Sequence, residues 1–264
     1  MVEPTPGWTF PFGRPVLRRR PSAKSSRRVF VLGAFPSALH IAWWSPARKG
    51  IRALAVDNEP ANFWTGADEK THIDAWKRAV DFRVGAWGEV ETADEVNGKA
   101  GRWLDDNVLA PLGVTRDEAC LSYCLDTYFA DAAAAFAVNE RYQPVALEAG
   151  LPEAHLAPRL RDRALVELAV EVHRERLLHE LSVVVPDVVV TLGNAALRVL
   201  RGITEATGGG KLHHDARYGV EQPLVIRNRK AVWLALTHHE GAPIFAEAHA
   251  RWLQSRSRQT PGLT

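Results

Sequence analysis

Short apolar runs alternate along this chain with stretches whose apolar positions recur at helical spacing. Continuous apolar runs of this length, ended by glycine or polar residues, are typical of buried parallel strands. The predicted strands cover residues 29–32, 51–56, 120–125, 188–192 and 231–236. Strands that alternate with helices predict an α/β fold with a central, mainly parallel sheet covered on both faces.

The clearest helical pattern covers residues 162–181, where Leu and Val positions form one apolar stripe between Arg and Glu. Further helices are predicted over about 68–76, 93–108, 195–201 and 244–253. Asn194 is a good N-cap for the helix that follows it. The stretch 129–149 shows no clear period, and we expect a loop over 139–144 within it.

Residues 1–26 are rich in Pro, Gly, Ser and Arg and have no sustained apolar period. We therefore predict an irregular N-terminal arm over 1–26, a single α/β domain over 27–255 and a flexible tail over 256–264. Positive charge is concentrated at Arg18, Arg19, Arg20, Lys24, Arg27 and Arg28. That run fits either a solvated tail or attraction to phosphate groups.

Composition narrows the class of protein. The 264 residues are 46% hydrophobic, which suits a folded domain, and no apolar run approaches the ~20 residues that span a bilayer. The total of 33 Lys and Arg against 31 Asp and Glu is nearly balanced, so only the local charge of the arm bears on nucleic acids. Two cysteines, Cys120 and Cys124, are too few for a disulfide framework or a four-cysteine cluster. They indicate reduced thiols in a cytoplasm-like compartment.

Ligands of parallel sheets bind beyond the carboxyl ends of the strands. Turn-forming and polar residues follow the predicted strands at 33–37, 57–59, 125–126, 193–194 and 238–240. Familiar motifs are absent: residues 205–212 lack the glycine and the Ser or Thr of a phosphate-binding loop, and no nucleophile elbow or dinucleotide fingerprint occurs. The histidine pairs 213–214 and 238–239 are poor metal ligands, because adjacent strand residues point to opposite faces.

The order of these strand-end motifs resembles the uracil-DNA glycosylase superfamily. The strand 29–32 leads into Gly33-Ala34-Phe35-Pro36-Ser37, which is similar to the family's Gly-x-x-Pro turn. Further along, Pro60-Ala61-Asn62-Phe63-Trp64 resembles a Pro-Ala-Asn-Arg-Phe-Trp segment, and Leu192-Gly193-Asn194-Ala195-Ala196 resembles a Leu-Gly-x-x-Ala turn. The last strand leads into His238-His239-Glu240, where the family has His-Pro-Ser. The resemblance covers about residues 28–252 and implies a three-layer α/β/α sandwich.

The resemblance implies a DNA repair enzyme that flips uracil out of DNA and hydrolyses its N-glycosidic bond. His238 would contact the uracil as negative charge develops on it, and Asp126 is our first choice, ahead of Asp57, Glu59 and Glu240, to orient the attacking water. The implied uracil-binding residues are Gly33, Ala34, Phe35, Phe63 and Ser122. The implied DNA-binding residues are Pro36, Ser37, Asn194, His239, Glu240, Gly241 and Arg251, together with the arginines of the arm.

The chain also departs from the family pattern. Ala34 and Phe35 occupy positions where the family places an acid or an Asn, and Ser122 is the nearest match to its pyrimidine-reading Asn. Two further functions therefore stay open: a DNA-damage or abasic-site binding protein of the same fold, and an unrelated α/β enzyme acting on a small nucleotide or nucleoside. The expected partners are uracil-containing and abasic-site DNA. We expect no cofactor, metal or membrane, and a cytoplasmic monomer in the bacterial nucleoid compartment.

Overall fold

The computed structural model describes residues 4–21, 28–47, 49–204 and 218–259. The chain divides into two compact units that are interleaved in sequence. The first unit comprises Met1–Arg19, Phe35–Gly101 and Asp126–Leu160, and the second comprises Arg20–Ala34, Arg102–Leu125 and Arg161–Thr264. The predicted domain 27–255 thus takes in parts of both units.

The regular elements are the following. The strands are β1 (Pro4–Thr9), β2 (Pro15–Leu17), β3 (Val29–Gly33), β4 (Ala38–Trp44), β5 (Gly50–Asn58), β6 (Glu89–Glu91), β7 (Ala119–Tyr123), β8 (Val188–Leu192), β9 (Gln222–Ile226) and β10 (Arg229–Leu236). The helices are α1 (Glu69–Ala79), α2 (Val84–Trp87), α3 (Lys99–Leu104), α4 (Ala132–Phe136), α5 (Gln143–Ala149), α6 (Asp162–Val172), α7 (Arg174–Val184), α8 (Gly193–Ile203) and α9 (Ala246–Gln259). In the described ranges, no helix has both the length and the hydropathy to cross a bilayer.

A mainly parallel sheet forms the centre of the second unit, in the order β7-β3-β8-β10-β9. The first four strands are parallel, and β9 joins the edge antiparallel to β10. All residues of β3 are buried, and α8 packs on β3, β8 and β10. The α/β class with a mostly parallel sheet is therefore confirmed, because strands buried on both faces are visible in sequence as continuous apolar runs.

The first unit contains antiparallel pairs: β1 with β2, and a three-stranded sheet in the order β5-β4-β6. The strand predicted over 51–56 exists as β5, but it belongs to this separate antiparallel sheet. Only residues 45–49 join β4 to β5, and so short a connection allows a hairpin but no parallel crossover. The parallel pairing expected for this strand is therefore wrong.

Part of the predicted N-terminal arm is ordered. Residues 4–17 form β1, a short turn and β2 instead of an irregular segment. Phe10, Phe12 and Val16 are all buried in the first unit, so these apolar side chains anchor the segment despite its prolines. Lys24 and Arg27 of the arm lie outside the described residues, as do the glycine run 208–210 and the histidine pair 213–214.

Three local expectations for helices and loops are also corrected. Residues 139–144 are helical, with a π-helical stretch Ala137–Tyr142 leading into α5. Pro144 lies in the first turn of α5, where no backbone N–H is required, so it does not break the helix. The helix over 162–181 is two helices, α6 and α7, separated at His173. Asn194 lies inside α8 and Leu192 occupies the N-cap position, because the chain already turns at Gly193 with a φ of 85°.

Candidate functional site

The parallel strands of the second unit end at one edge of its sheet. Counted along the chain, the four parallel strands are arranged in the order 2-1-3-4, so the winding direction reverses between β3 and β8. Ligands of such sheets bind at this switch point. The register pairs Leu32 with Thr191 and Leu236 with Leu192. The residues that follow, at 33–34, 193–194 and 238–241, therefore come from adjacent strand ends.

His238 is the main chemical group at this edge, and its imidazole ring lies next to Gly193. A Cβ on Gly193 would lie 2.7 Å from the His238 Cδ2 atom, so only glycine leaves room for the imidazole ring. The Gly193 φ of 85° favours glycine independently. The His238 side chain is 41% exposed, and its Nδ1 lies 4.0 Å from the Glu240 carboxylate. A partly accessible imidazole is thus held between the ends of β8 and β10.

The loop that carries His238 is anchored by buried polar groups. The Thr237 backbone N–H donates to the Tyr218 hydroxyl over 3.3 Å, and that hydroxyl lies 2.6 Å from Nδ1 of His249. Burial lowers the pKa of His249 and raises the pKa of Tyr218. Both side chains are therefore uncharged near neutral pH. This neutral pair fixes the backbone immediately before His238.

The end of β7 is held by a charged network that the sequence motifs did not indicate. Arg176 donates to the Glu180 carboxylate over 2.7 Å and to the carbonyl oxygens of Tyr123 and Cys124 over 2.8 and 2.9 Å. The Ser122 hydroxyl donates to the other Glu180 oxygen over 2.6 Å. Ser122 is fully buried, so its hydroxyl belongs to this network inside the second unit.

The same network connects β7 to the turn after β3. The Cys124 and Leu125 backbone N–H groups donate to the carbonyl oxygens of Gly33 and Ala34. Arg176 therefore supports the Gly33-Ala34 turn through the strand end that it binds. One signal in the sequence could have revealed this: Glu180 lies between Leu177 and Leu181 on the apolar stripe of its helix, where a carboxylate needs a partner.

Several expected site residues belong to the first unit. The Phe35 ring contacts the Phe129 ring edge-on at 5.7 Å, and the Arg159 guanidinium lies 5.3 Å from its centre. Phe63 is 6% exposed and has a φ of 50°, and Asp126 is 2% exposed. Pro36 is buried and Ser37 is exposed. The Asp126 carbonyl oxygen accepts the Arg19 backbone N–H.

The expected DNA contacts of the second unit differ in accessibility. Asn194 and His239 are half-buried, Glu240 is exposed and Gly241 is buried. The Arg251 side chain on α9 is 58% exposed and lies 3.9 Å from the Glu247 carboxylate. The exposed members can meet a ligand directly, whereas Gly241 contributes space: a Cβ there would lie 2.4 Å from the Thr237 hydroxyl.

Other reactive groups are poorly placed for catalysis. Both cysteines are buried, and burial raises the pKa of the Cys124 thiol, so that thiol stays protonated. Within the part of the chain that the structure describes, no cluster of three or more His, Cys, Asp or Glu side chains could hold a metal ion. The chain matches no family model and no curated protein. The fold and the site define an α/β protein with a histidine at the carboxyl edge of a mainly parallel sheet.

Proposed function

We propose that the protein is a DNA glycosylase that removes uracil from DNA and leaves an abasic site. The observation that carries the proposal is His238, a partly accessible imidazole packed on Gly193 at the ends of neighbouring parallel strands. The resemblance of the strand-end motifs supports the same assignment, and with it a three-layer glycosylase-like sandwich. The proposed partners are uracil-containing and abasic-site DNA, bound by a cytoplasmic monomer without a cofactor.

The chemistry requires stabilisation of a leaving base. Cleavage of the glycosidic bond leaves positive charge on the sugar and negative charge on the uracil, and hydrogen bonds that strengthen with this charge lower the barrier. His238 would supply an imidazole N–H to the uracil oxygen. The Glu240 carboxylate lies 4.0 Å from Nδ1 of this ring. Backbone N–H groups of the turn at Ala34 could hold the base without any particular side chain.

A second function, binding of damaged DNA without cleavage, is favoured by the positions at which the chain lacks or buries a carboxylate. Ala34 and Phe35 provide no carboxylate to orient a water, and Asp126, our first choice for that role, is only 2% exposed. A protein with this fold whose first-choice base is buried could bind damaged or abasic DNA without efficient cleavage. We therefore keep a DNA-damage binding protein as the alternative.

One assay separates these functions. The protein is incubated with uracil-containing single- and double-stranded oligonucleotides, and alkali-labile abasic sites and retained DNA are both measured. Abasic sites would support the glycosylase, whereas retention without cleavage would support the binding protein. If neither cleavage nor retention of the DNA is observed, both proposals are wrong.

His238→Ala tests the assigned residue. Loss of one preorganised donor to a developing anion lowers a rate by about 10²-fold or more. The matched control is His155→Ala, because His155 is an exposed histidine of the first unit whose side chain lies 3.7 Å from Glu153. If the His238 variant and the wild type had the same rate, His238 would have no role in the mechanism.

A further inference from the structure

A concave site lies at the opposite end of the same sheet. The cavity has a volume of about 590 Å³ and is lined by residues just before β8 and by the β9–β10 hairpin, among them Asp187, Arg227, Arg229 and Lys230. The eight residues of β10 separate this hairpin from the His238 loop, which corresponds to about 25 Å along an extended strand. The cavity is therefore distinct from the candidate site.

The positive charges of the cavity are only partly compensated by its one carboxylate. Arg227, Arg229 and Lys230 are all exposed, and among the described residues none of them forms an ion pair. Elsewhere in the second unit, by contrast, Arg116 and Arg198 each contact a carboxylate. With three cations and the single carboxylate of Asp187, the lining carries a formal charge of +2. A phosphate monoester carries a charge of about −1.5 to −2 near neutral pH and would neutralise it.

Shape and backbone geometry favour a small ligand. The volume falls in the range of about 300–1,000 Å³ that is usual for small-molecule sites. Leu181, Val185 and Ile226 contribute apolar lining. Arg227 and Asn228 have φ values of 46° and 68°, as in the tight two-residue turns of hairpins, so Arg227 lies on the turn and Arg229 begins β10 directly after it.

We propose that this cavity binds a small phosphate monoester that also carries a flat apolar group, as a nucleoside monophosphate does. Arg227 and Arg229 hold the phosphate by charge-assisted hydrogen bonds, and Lys230, the next residue of β10, adds positive charge from the other face of the strand. The apolar lining covers the base, and the Asp187 carboxylate accepts a ligand hydroxyl. The proposal is independent of the glycosylase assignment, because the two sites share no residue.

Isothermal titration calorimetry tests it with adenosine 5′-monophosphate, adenosine, inorganic phosphate and a single-stranded oligonucleotide without uracil. We expect the monophosphate to bind at least about tenfold more tightly than adenosine or phosphate. Arg227→Gln and Arg229→Gln should each weaken its binding by about tenfold, the effect of losing one hydrogen bond to a charged group. Lys70→Gln, which removes an exposed charge on α1 of the first unit, is the matched control and should bind as the wild type does.

The pH dependence adds an independent check. The second ionisation of a phosphate monoester lies near pH 6, so binding should tighten between about pH 5 and 7. Adenosine binding as tightly as its monophosphate, or unchanged affinity in both Gln variants, would overturn the proposal. An oligonucleotide that binds more tightly and depends on the same cations would instead assign them to a nucleic-acid surface. Abasic-site formation by Arg229→Gln should equal that of the wild type, which separates this test from the glycosylase assay.

Discussion

The interior of each of the two units is stabilised by a different kind of interaction. The core of the first unit is aromatic: the Phe12 ring meets the rings of Trp43, Trp76 and Tyr142 at centroid distances of 5.6, 5.3 and 5.1 Å. The second unit has a sheet of aliphatic strands, and its buried polar groups gather at the strand ends. This difference favours the second unit as the location of a functional site, because buried polar networks fix the positions of the groups around them.

In the first unit, residues that are far apart in sequence contact each other. The Tyr142 hydroxyl accepts the Phe12 backbone N–H over 2.8 Å, although the two residues are 130 positions apart. The second unit instead places its polar groups at ends of neighbouring strands, around Gly193 and His238. In the first unit a hydrogen bond supports the ring packing, whereas hydrogen bonds of the second unit also shape the candidate site.

The largest expected effect is the loss of the buried charge pair of the second unit. Arg176→Met leaves the Glu180 carboxylate, only 6% exposed, without its cation and removes donors from two carbonyl oxygens. We expect the free energy of unfolding to fall by about 3–5 kcal/mol in urea titrations. The double variant Arg176→Met/Glu180→Leu should recover much of this loss, because apolar replacement of a whole buried pair is tolerated.

The control for this prediction is the pair Arg163–Glu167 on α6, which has the same spacing in sequence but side chains that are 88% and 54% exposed. Arg163→Met should cost less than about 1 kcal/mol, as is usual for surface pairs. Equal losses at Arg176 and Arg163 would contradict the structural role of the buried network.

The contrast between the units also explains what the sequence could predict. Strands β3, β7, β8 and β10 were expected within a few residues of their observed bounds, because strands of a parallel sheet show their burial as local apolar runs. β1 and β4 of the first unit were missed. The turn after β1 is held by a residue far along the chain, because the Tyr142 hydroxyl accepts the Phe12 N–H, and no local period indicates such a contact. β4, by contrast, pairs with the neighbouring β5 and is itself an apolar run that the sequence shows.

For the candidate site, the sequence predicted which residues follow the strands but not what they contact. The position of His238 at a strand end follows from the pattern of β10. Its packing on Gly193 depends on the order β8-β10 in the sheet, which local patterns do not specify. Ser122 illustrates the same limit, because its partner Glu180 lies on a separate helix 58 positions away.

Gly193→Ala should have the next largest effect. An alanine at a left-handed position costs about 1–2 kcal/mol. The new Cβ would also lie 2.7 Å from His238 Cδ2, and such overpacking adds about 1 kcal/mol or more. Gly113→Ala is the matched control: its φ is 63°, and a Cβ there would meet nothing within 4 Å. Urea unfolding should show the larger loss at Gly193, and NMR should show a shifted His238 imidazole in that variant alone.

Tyr142→Phe tests the first unit. The variant removes a buried hydroxyl that accepts the Phe12 N–H and donates to the Pro152 carbonyl oxygen over 2.8 Å. Leaving those groups unsatisfied should lower the free energy of unfolding by about 1–3 kcal/mol. Tyr128→Phe is the control, because the buried Tyr128 ring packs on Phe10 and, in the described ranges, its hydroxyl forms no hydrogen bond. If the free energy of unfolding fell by the same amount in both variants, the hydrogen bonds of the Tyr142 hydroxyl would not be the cause of the loss.

The smallest effect concerns pH and the anchor of the His238 loop. Burial lowers the pKa of His249 below its ordinary 6.5, so the unfolded chain binds a proton that the folded chain excludes. The stabilisation is fully present above pH 6.5 and is lost as the pH falls through the folded pKa. Between pH 7.5 and 5.5, His249→Gln should therefore lose less stability than the wild type. Burial also lowers the pKa of His40, but that residue is present in both proteins and its contribution cancels. If unfolding titrations gave the variant the same pH dependence as the wild type, the neutral Tyr218–His249 pair would not be the source of the acid sensitivity.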